Sequence, residues 1–278
     1  MTDHSTAWAQ RFSERMSRVR ANEIRELLKL LDQPDILSFA GGIPDPGLFP
    51  SERIQASYQA VLSDPELSQQ ALQYSVSEGY LPLREWLAER MAAHGVACGP
   101  ENIMLTAGSQ QALDLLGKLF LTRGDTVVVA RPTYLGALQA FTAYEPNYLD
   151  LPDGALDGDF DAQSLMAGRA PKPLGYFVPD YANPTGESLT TAQRQALLEL
   201  ADATDMTLIE DAAYRELRFA GEALPSLLAL DIARSGSIEQ ARTLYCGTFS
   251  KTISPALRLG WVCGPKAVIE KLVLLKQG

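Results

Sequence analysis

The sequence predicts an α/β fold in which a mostly parallel sheet is covered on both faces by helices. From residue 102 onward, short runs of Val, Ile and Leu alternate with segments of helical periodicity. Those runs are apolar throughout rather than alternating with polar residues, as strands buried on both faces are. The 278-residue chain is 46% hydrophobic and 21% charged, so it is long enough and apolar enough to bury a real core.

Taken in order, residues 7–31 read as a helix ending in the apolar spacing Ile24, Leu27, Leu28, Leu31. Pro34 stops it, because proline cannot continue a helix. Residues 40–47 hold too many glycines and prolines for regular structure. Helices follow at about 52–62 and 81–94, the second with Leu83, Trp86, Leu87 and Met91 on one face. Strands are expected at 102–106, 126–130, 174–179, 206–211, 242–246 and 259–262. Helices are expected at 109–121, 134–144, 191–204 and from Pro265 to the end. Residues 150–161, broken by glycine and proline, read as an exposed loop. The sequence holds no repeat and no low-complexity tract.

Composition narrows function. A net charge of −10 opposes nucleic-acid binding, which needs a basic face. No stretch approaches the roughly 20 apolar residues of a membrane span, and the first residues do not resemble a signal peptide. Cys98, Cys246 and Cys263 are odd in number and lack metal-ligand spacing, which suggests reduced thiols and a cytoplasmic location. With His4 and His94 as its two histidines, the chain is a poor candidate for a metal site or a Ser-His-Asp triad. The expectation is therefore no metal, no nucleic acid and no membrane.

In such a sheet, ligands sit at the carboxyl ends of strands, and four places there carry unusual chemistry. The segment 247–261 sets Lys251 in a small polar turn and follows it with Arg258. A lysine can form an imine, and an arginine fork suits phosphate oxygens, a combination that pyridoxal phosphate requires. Ser250 adds a hydroxyl, although a surface lysine is the plainer reading of Lys251 alone. Gly108-Ser109-Gln110 opens a helix whose first N–H groups would point at an anion, or Ser109 is an ordinary cap. Asn183, after the 174–179 strand, could donate to a phenolate oxygen or belong to a simple turn. Asp211 could pair with a pyridine N–H and keep the ring an electron sink, with Tyr214 reaching the same ring, or Asp211 could cap a helix.

Together these residues resemble the fold-type I pyridoxal-phosphate aminotransferases of class I/II. The resemblance rests on GSQQALDL, RPTYLGA, YANPTG, EDAAYREL and GTFSKTISPALRLGW. Upstream, ILSFAGGIPDPGLFP and ALQYSVSEGYLPLRE are similar to the subgroup holding 2-aminoadipate and kynurenine aminotransferases. The resemblance implies a three-layer α/β/α large domain binding pyridoxal 5'-phosphate over residues 46–278, preceded by an N-terminal helix and pocket loop over 1–45. It implies Lys251 as Schiff-base lysine and proton shuttle, and Asp211 as partner of the ring nitrogen. Asn183 and Tyr214 are implied as donors to the ring 3-oxygen, and Tyr134 as the aromatic stacked on the ring. Ser109, Gln110, Thr248, Ser250 and Arg258 form the implied phosphate cup, with Thr248 standing where relatives often carry serine. Tyr74 is implied to reach the site of a second subunit, hence a homodimer. Gly42 and Asn183 are implied to line the substrate pocket, with Arg25 a candidate partner for a distal substrate carboxylate or else a surface arginine. The implied activity moves an amino group between an amino acid (2-aminoadipate, glutamate, aromatic or branched-chain) and a 2-oxo acid.

The chain departs from that family where it stops, since members continue into a C-terminal small domain that carries the arginine for the substrate α-carboxylate. The expectation is a partial chain, with that residue beyond 278. Three other readings stand beside the transaminase. One is an effector domain of a transcription regulator, which would need a basic helix-turn-helix ahead of residue 1. Another is a lyase or decarboxylase using the same cofactor. The last is a nucleotide-binding protein, for which Gly108-Ser109 lacks the glycine pattern.

Overall fold

The computed structural model describes Trp8, residues 10–19, Gly42, residues 44–158 and residues 160–278. Its strands are β1 (Ile103–Thr106), β2 (Thr126–Val129), β3 (Asn147–Asp150), β4 (Leu174–Phe177), β5 (Thr207–Asp211), β6 (Thr243–Thr248) and β7 (Gly260–Cys263). They form one sheet in the order β1-β7-β6-β5-β4-β2-β3. β7 runs antiparallel to both neighbours and the other pairings are parallel. The carboxyl ends of β1, β2, β4, β5 and β6 therefore share one edge, and β7 begins there.

The α-helices among the described residues are α1 (Ser51–Ser63), α2 (Pro65–Leu72), α3 (Leu81–Ala93), α4 (Ser109–Phe120), α5 (Leu135–Thr142), α6 (Ala162–Met166), α7 (Thr191–Thr204), α8 (Leu227–Ser235) and α9 (Lys266–Lys276). Local chemistry sets their ends. Thr190 and Gln193 cap α7 reciprocally, and Asp205 ends it in the left-handed region. Asp64 accepts from the N–H groups of Glu66 and Leu67 ahead of Pro65, which starts α2. One core packs Leu113, Leu116, Phe141 and Leu272, from α4, α5 and α9, against Val127, Tyr176, Ile209 and Val262. On the other side, Leu197 and Leu198 of α7 pack on Val128, Phe177 and Leu208, and Leu87 and Met91 of α3 pack beside Trp261 and Cys263. Both faces of the sheet are thus covered.

The expected α/β architecture holds, with α2, α6 and α8 as helices that the sequence reading did not anticipate. β3 was not anticipated, because an edge strand with an exposed face lacks the apolar run of a central one. The 150–161 loop is not exposed throughout: Leu151 and Ala155 are buried against α7. Trp86 does not share the buried face of Leu87 and Met91 and is 46% exposed. Within 10–19, where a helix is expected, a 3-10 turn at Glu14–Ser17 buries no residue; the rest of that expected helix lies outside the described residues. No helix among the described residues is long and apolar enough to cross a membrane.

Candidate functional site

The strands ending at the shared edge, β3 apart, each deliver one part of a single cluster. After β6, Lys251 is half-buried with its Nζ 5.9 Å from the centre of the Tyr214 ring. After β4, the Asn183 side-chain amide donates to the Tyr214 hydroxyl at 3.2 Å. The two groups expected to meet one ring oxygen thus converge on one point. Burial raises the Tyr214 hydroxyl above its usual range, while the Asn183 hydrogen bond lowers it.

Asp211 ends β5 and is buried. Its Oδ2 accepts from the Tyr176 hydroxyl at 2.8 Å and its Oδ1 from the Ala213 N–H at 3.3 Å. Burial pushes its pKa up to about 6 against the lowering effect of those two bonds. Among the described residues it forms no ion pair. A buried carboxylate with two neutral donors suits a cationic N–H.

The part suited to an anion forms where β1, β7 and β6 lie side by side, with Gly260 paired to Thr106 on one side and Thr248 on the other. A Cβ at Gly260 would lie 2.8 Å from both the Gly108 carbonyl carbon and the Gly247 oxygen, so only glycine admits this approach. Gly108, at φ +84°, caps α4, whose first N–H groups have no partner within the helix. Arg258, itself left-handed at φ +49°, donates to the Ala107 carbonyl at 2.9 Å. A Cβ on Gly108 would come within 2.6 Å of that guanidinium. The Thr248 hydroxyl donates to Ser250 Oγ at 2.9 Å. A helix N-terminus, a guanidinium and two hydroxyls are thus held together, as a phosphate dianion requires. The Gln110 side-chain amide donates to Gly136 O at 2.8 Å, which leaves its backbone N–H as the group it could offer an anion. That bond ties α4 to the turn carrying Tyr134, whose ring lies against Gly136.

Gly42 is not brought against this cluster, and Tyr74 is expected at a second subunit's site rather than here. Tyr74 is 99% exposed. Gly42 has a positive φ of +52° and no heavy atom within 4 Å of a Cβ built there. Arg25 lies outside the described residues. A separate cavity of about 210 Å³ lies beyond Thr248 and Thr252, lined by Trp86, Phe249 and Trp261, and touches neither Lys251 nor Asp211.

Two features escaped the sequence reading. Tyr176 sits mid-strand and reads as core, though a buried tyrosine hydroxyl needs a partner. Asp180 and Arg194 form a buried ion pair at 2.6 Å, and Asp180 also binds Arg215 at 2.9 Å. This joins the chain just before Asn183 to the residue just after Tyr214.

The fold and site define an α/β protein that gathers a lysine, a buried carboxylate and a helix N-terminus beside an arginine at the strand ends. The chain belongs to the aminotransferase class I and II family, which matches residues 35–278. It is 40% identical over 272 residues to a 2-aminoadipate transaminase of Thermus thermophilus, covering 98% of this chain and 66% of that protein. It is 41% identical over 276 residues to aromatic-amino-acid aminotransferase 1 of Thermococcus litoralis, covering 96% and 63%. Among solved structures, it is similar to the α-aminoadipate aminotransferase LysN of Thermus thermophilus, solved with N-(5'-phosphopyridoxyl)-L-leucine. The TM-score is 0.83 at 39% identity, covering 98% of this chain and 66% of that one. The chain spans just under two thirds of the length of these relatives.

Proposed function

We propose that the protein is a pyridoxal 5'-phosphate-dependent aminotransferase that moves an amino group between an amino acid and a 2-oxo acid. The observation that carries this reading is the convergence of Lys251, the Asn183–Tyr214 pair, buried Asp211 and the Arg258–α4 anion cradle on one sheet edge. The residues fit the cofactor: the left-handed Gly108 admits the Arg258 guanidinium to the helix terminus, and Asp211 offers a buried carboxylate with only neutral donors. When bound, the cofactor supplies an electron sink for the charge left after an α-proton is removed.

The chain's own residues would do the rest. Ser109, the Gln110 backbone N–H, Thr248, Ser250 and Arg258 would hold the phosphate. Asn183 and Tyr214 would donate to the ring 3-oxygen, Asp211 would face the ring nitrogen, and Tyr134 would pack on the ring. The Lys251 amine would carry the cofactor and then move the substrate α-proton.

The substrate class proposed is an acidic or aromatic 2-amino acid, supported by similarity to the 2-aminoadipate and aromatic-amino-acid enzymes. Gly42, Asn183 and Arg25 are proposed to line its pocket, with Arg25 taking a distal carboxylate. A homodimer is proposed in which Tyr74 reaches the partner's phosphate site. The support is that α1 and α2 bury no residue and that Leu62, Leu72 and Tyr74 are each exposed. A cytoplasmic location is proposed from the three free cysteines.

The test uses full-length protein with pyridoxal phosphate. The expected result is a visible absorbance band that Lys251→Ala abolishes, with amino transfer from 2-aminoadipate or glutamate to a 2-oxo acid. A band that survives in Lys251→Ala, or release of carbon dioxide without transfer, overturns the reading. Arg25→Ala is expected to lower kcat/KM for acidic substrates about tenfold, roughly one lost charge-assisted contact, and to spare apolar ones.

A further inference from the structure

The Asp211 carboxylate does not stand alone at the floor of the site. β4 and β5 are parallel, with Tyr176 beside Ile209, two residues before Asp211. From that position the Tyr176 side chain reaches along the sheet and donates its hydroxyl to Asp211 Oδ2 at 2.8 Å. Tyr176 is fully buried, and its ring meets Phe141 edge-on at a centroid distance of 5.9 Å, so its orientation is fixed by packing. The second donor to the carboxylate is the Ala213 N–H at 3.3 Å, longer and on the other oxygen.

We propose that Tyr176 is a positioning residue that acts through Asp211, orienting the carboxylate and keeping it ionised so that a ring-nitrogen proton stays on the cofactor. This rests on the reading that Asp211 faces the ring nitrogen. Burial disfavours the Asp211 anion and the Tyr176 hydroxyl is the larger of the two effects opposing it. The groups facing this carboxyl are Tyr176 from β4, Cys246 from β6 and Tyr214 from the turn after β5, with the Lys251 amine beyond Tyr214 and Tyr134 beyond Tyr176. Burial and the nearby carboxylate both hold the Tyr176 phenol well above its usual range, so it stays a neutral donor at every physiological pH.

Removing the hydroxyl has a definite sign. A carboxylate stripped of its stronger donor binds a proton more tightly, so the shared proton moves from the ring toward Asp211. A ring bound there would then carry less positive charge, so Asp211 would leave it a weaker electron sink that disfavours a second cation nearby less strongly.

The test compares full-length wild type and Tyr176→Phe, both loaded with pyridoxal phosphate. The variant is expected to retain the Lys251-dependent band and to raise the pH midpoint of that band by about half to one unit. Its kcat is expected to fall about tenfold while KM moves less than about twofold, because the loss lies in the chemical step. With nitrogen-15 in the cofactor ring, the ring resonance is expected to move toward the unprotonated position. Tyr176→3-fluorotyrosine keeps the volume and sharpens the donor, so it should move the midpoint downward and stands in if the phenylalanine variant does not fold. An unchanged midpoint and ring resonance in a folded variant overturn the role of Tyr176. A wild-type band absent, or a ring resonance already unprotonated, overturns instead the reading of Asp211 on which it rests.

Discussion

Asn183 and Tyr214 come from separate turns yet meet at 3.2 Å, so the contributions proposed for them in holding a ring oxygen would be coupled. Asn183→Ala and Tyr214→Phe are each expected to raise the pyridoxal phosphate Kd of the full-length protein about tenfold, roughly 1.4 kcal/mol. The double variant should fall short of the sum by about 0.5–1 kcal/mol, because removing one partner already frees the other; absorbance titration checks both. These two residues, with Lys251, Asp211, Ser109 and Arg258, were legible in the sequence because each follows a recognisable strand. Tyr176 was not. Its neighbours Leu174 and Phe177 make it look like core, and its partner lies 35 residues away on the adjacent strand.

Two elements hold the cluster's geometry. The β7 strand passes between β1 and β6 at Gly260, where backbone atoms leave no room for a methyl group. Gly260→Ala therefore pushes Gly108 and Gly247 apart, and backbone cannot yield as a side-chain tip can. The expected cost is about 2–4 kcal/mol in urea unfolding, with weaker cofactor binding because the anion cradle opens. The second is the Asp180 clamp between α7 and the turn after β5. Arg194 is fully buried and also donates to Pro179 and Pro225 carbonyls, while Arg215 donates to Leu224 O. Asp180→Ala leaves two largely buried guanidinium groups without their carboxylate, for an expected loss of about 3–5 kcal/mol. Urea unfolding measures it. In the sequence Asp180, Arg194 and Arg215 are three unremarkable charges, and nothing in their spacing predicts a buried network.

At the scale of the whole molecule, two buried carboxyls at the end of β5 give the described residues a dependence on pH. Burial pushes Asp211 up to about 6 and Glu210 up to about 7, the latter although it accepts the Leu227 and Leu228 N–H groups at the start of α8. A carboxyl whose pKa is raised by folding is one the fold prefers protonated. Its contribution is most favourable below the free value near 4 and is lost as pH rises through the folded value. Urea unfolding of the cofactor-free full-length protein should therefore show stability falling between about pH 4 and 7. Asp211→Asn is expected to remove about 2–3 kcal/mol of that fall. An equal slope in the variant would mean that Asp211 does not titrate in this window. For the proposed dimer, Tyr74→Ala should raise the cofactor Kd about tenfold, the size of one lost hydrogen bond to a charged group. Titration in the dimer, with its assembly state checked by light scattering, measures this.

The sequence by itself determined the alternation of strands and helices, apart from α2, β3, α6 and α8, and it set Lys251, Asp211, Asn183 and Ser109 at or shortly after strand ends. Those features are local: apolar runs, turn residues and a chemical group placed directly after a strand. Only the tertiary structure decided that β7 enters the sheet antiparallel between β1 and β6, that Gly260 must be glycine, and that Tyr176 stands under Asp211. The edge strand β3 and the buried parts of the 150–161 loop likewise needed the fold. In each case the deciding interaction joins residues far apart in the chain. Their side chains carry no signal of one another until sheet pairing sets them within hydrogen-bond or van der Waals distance.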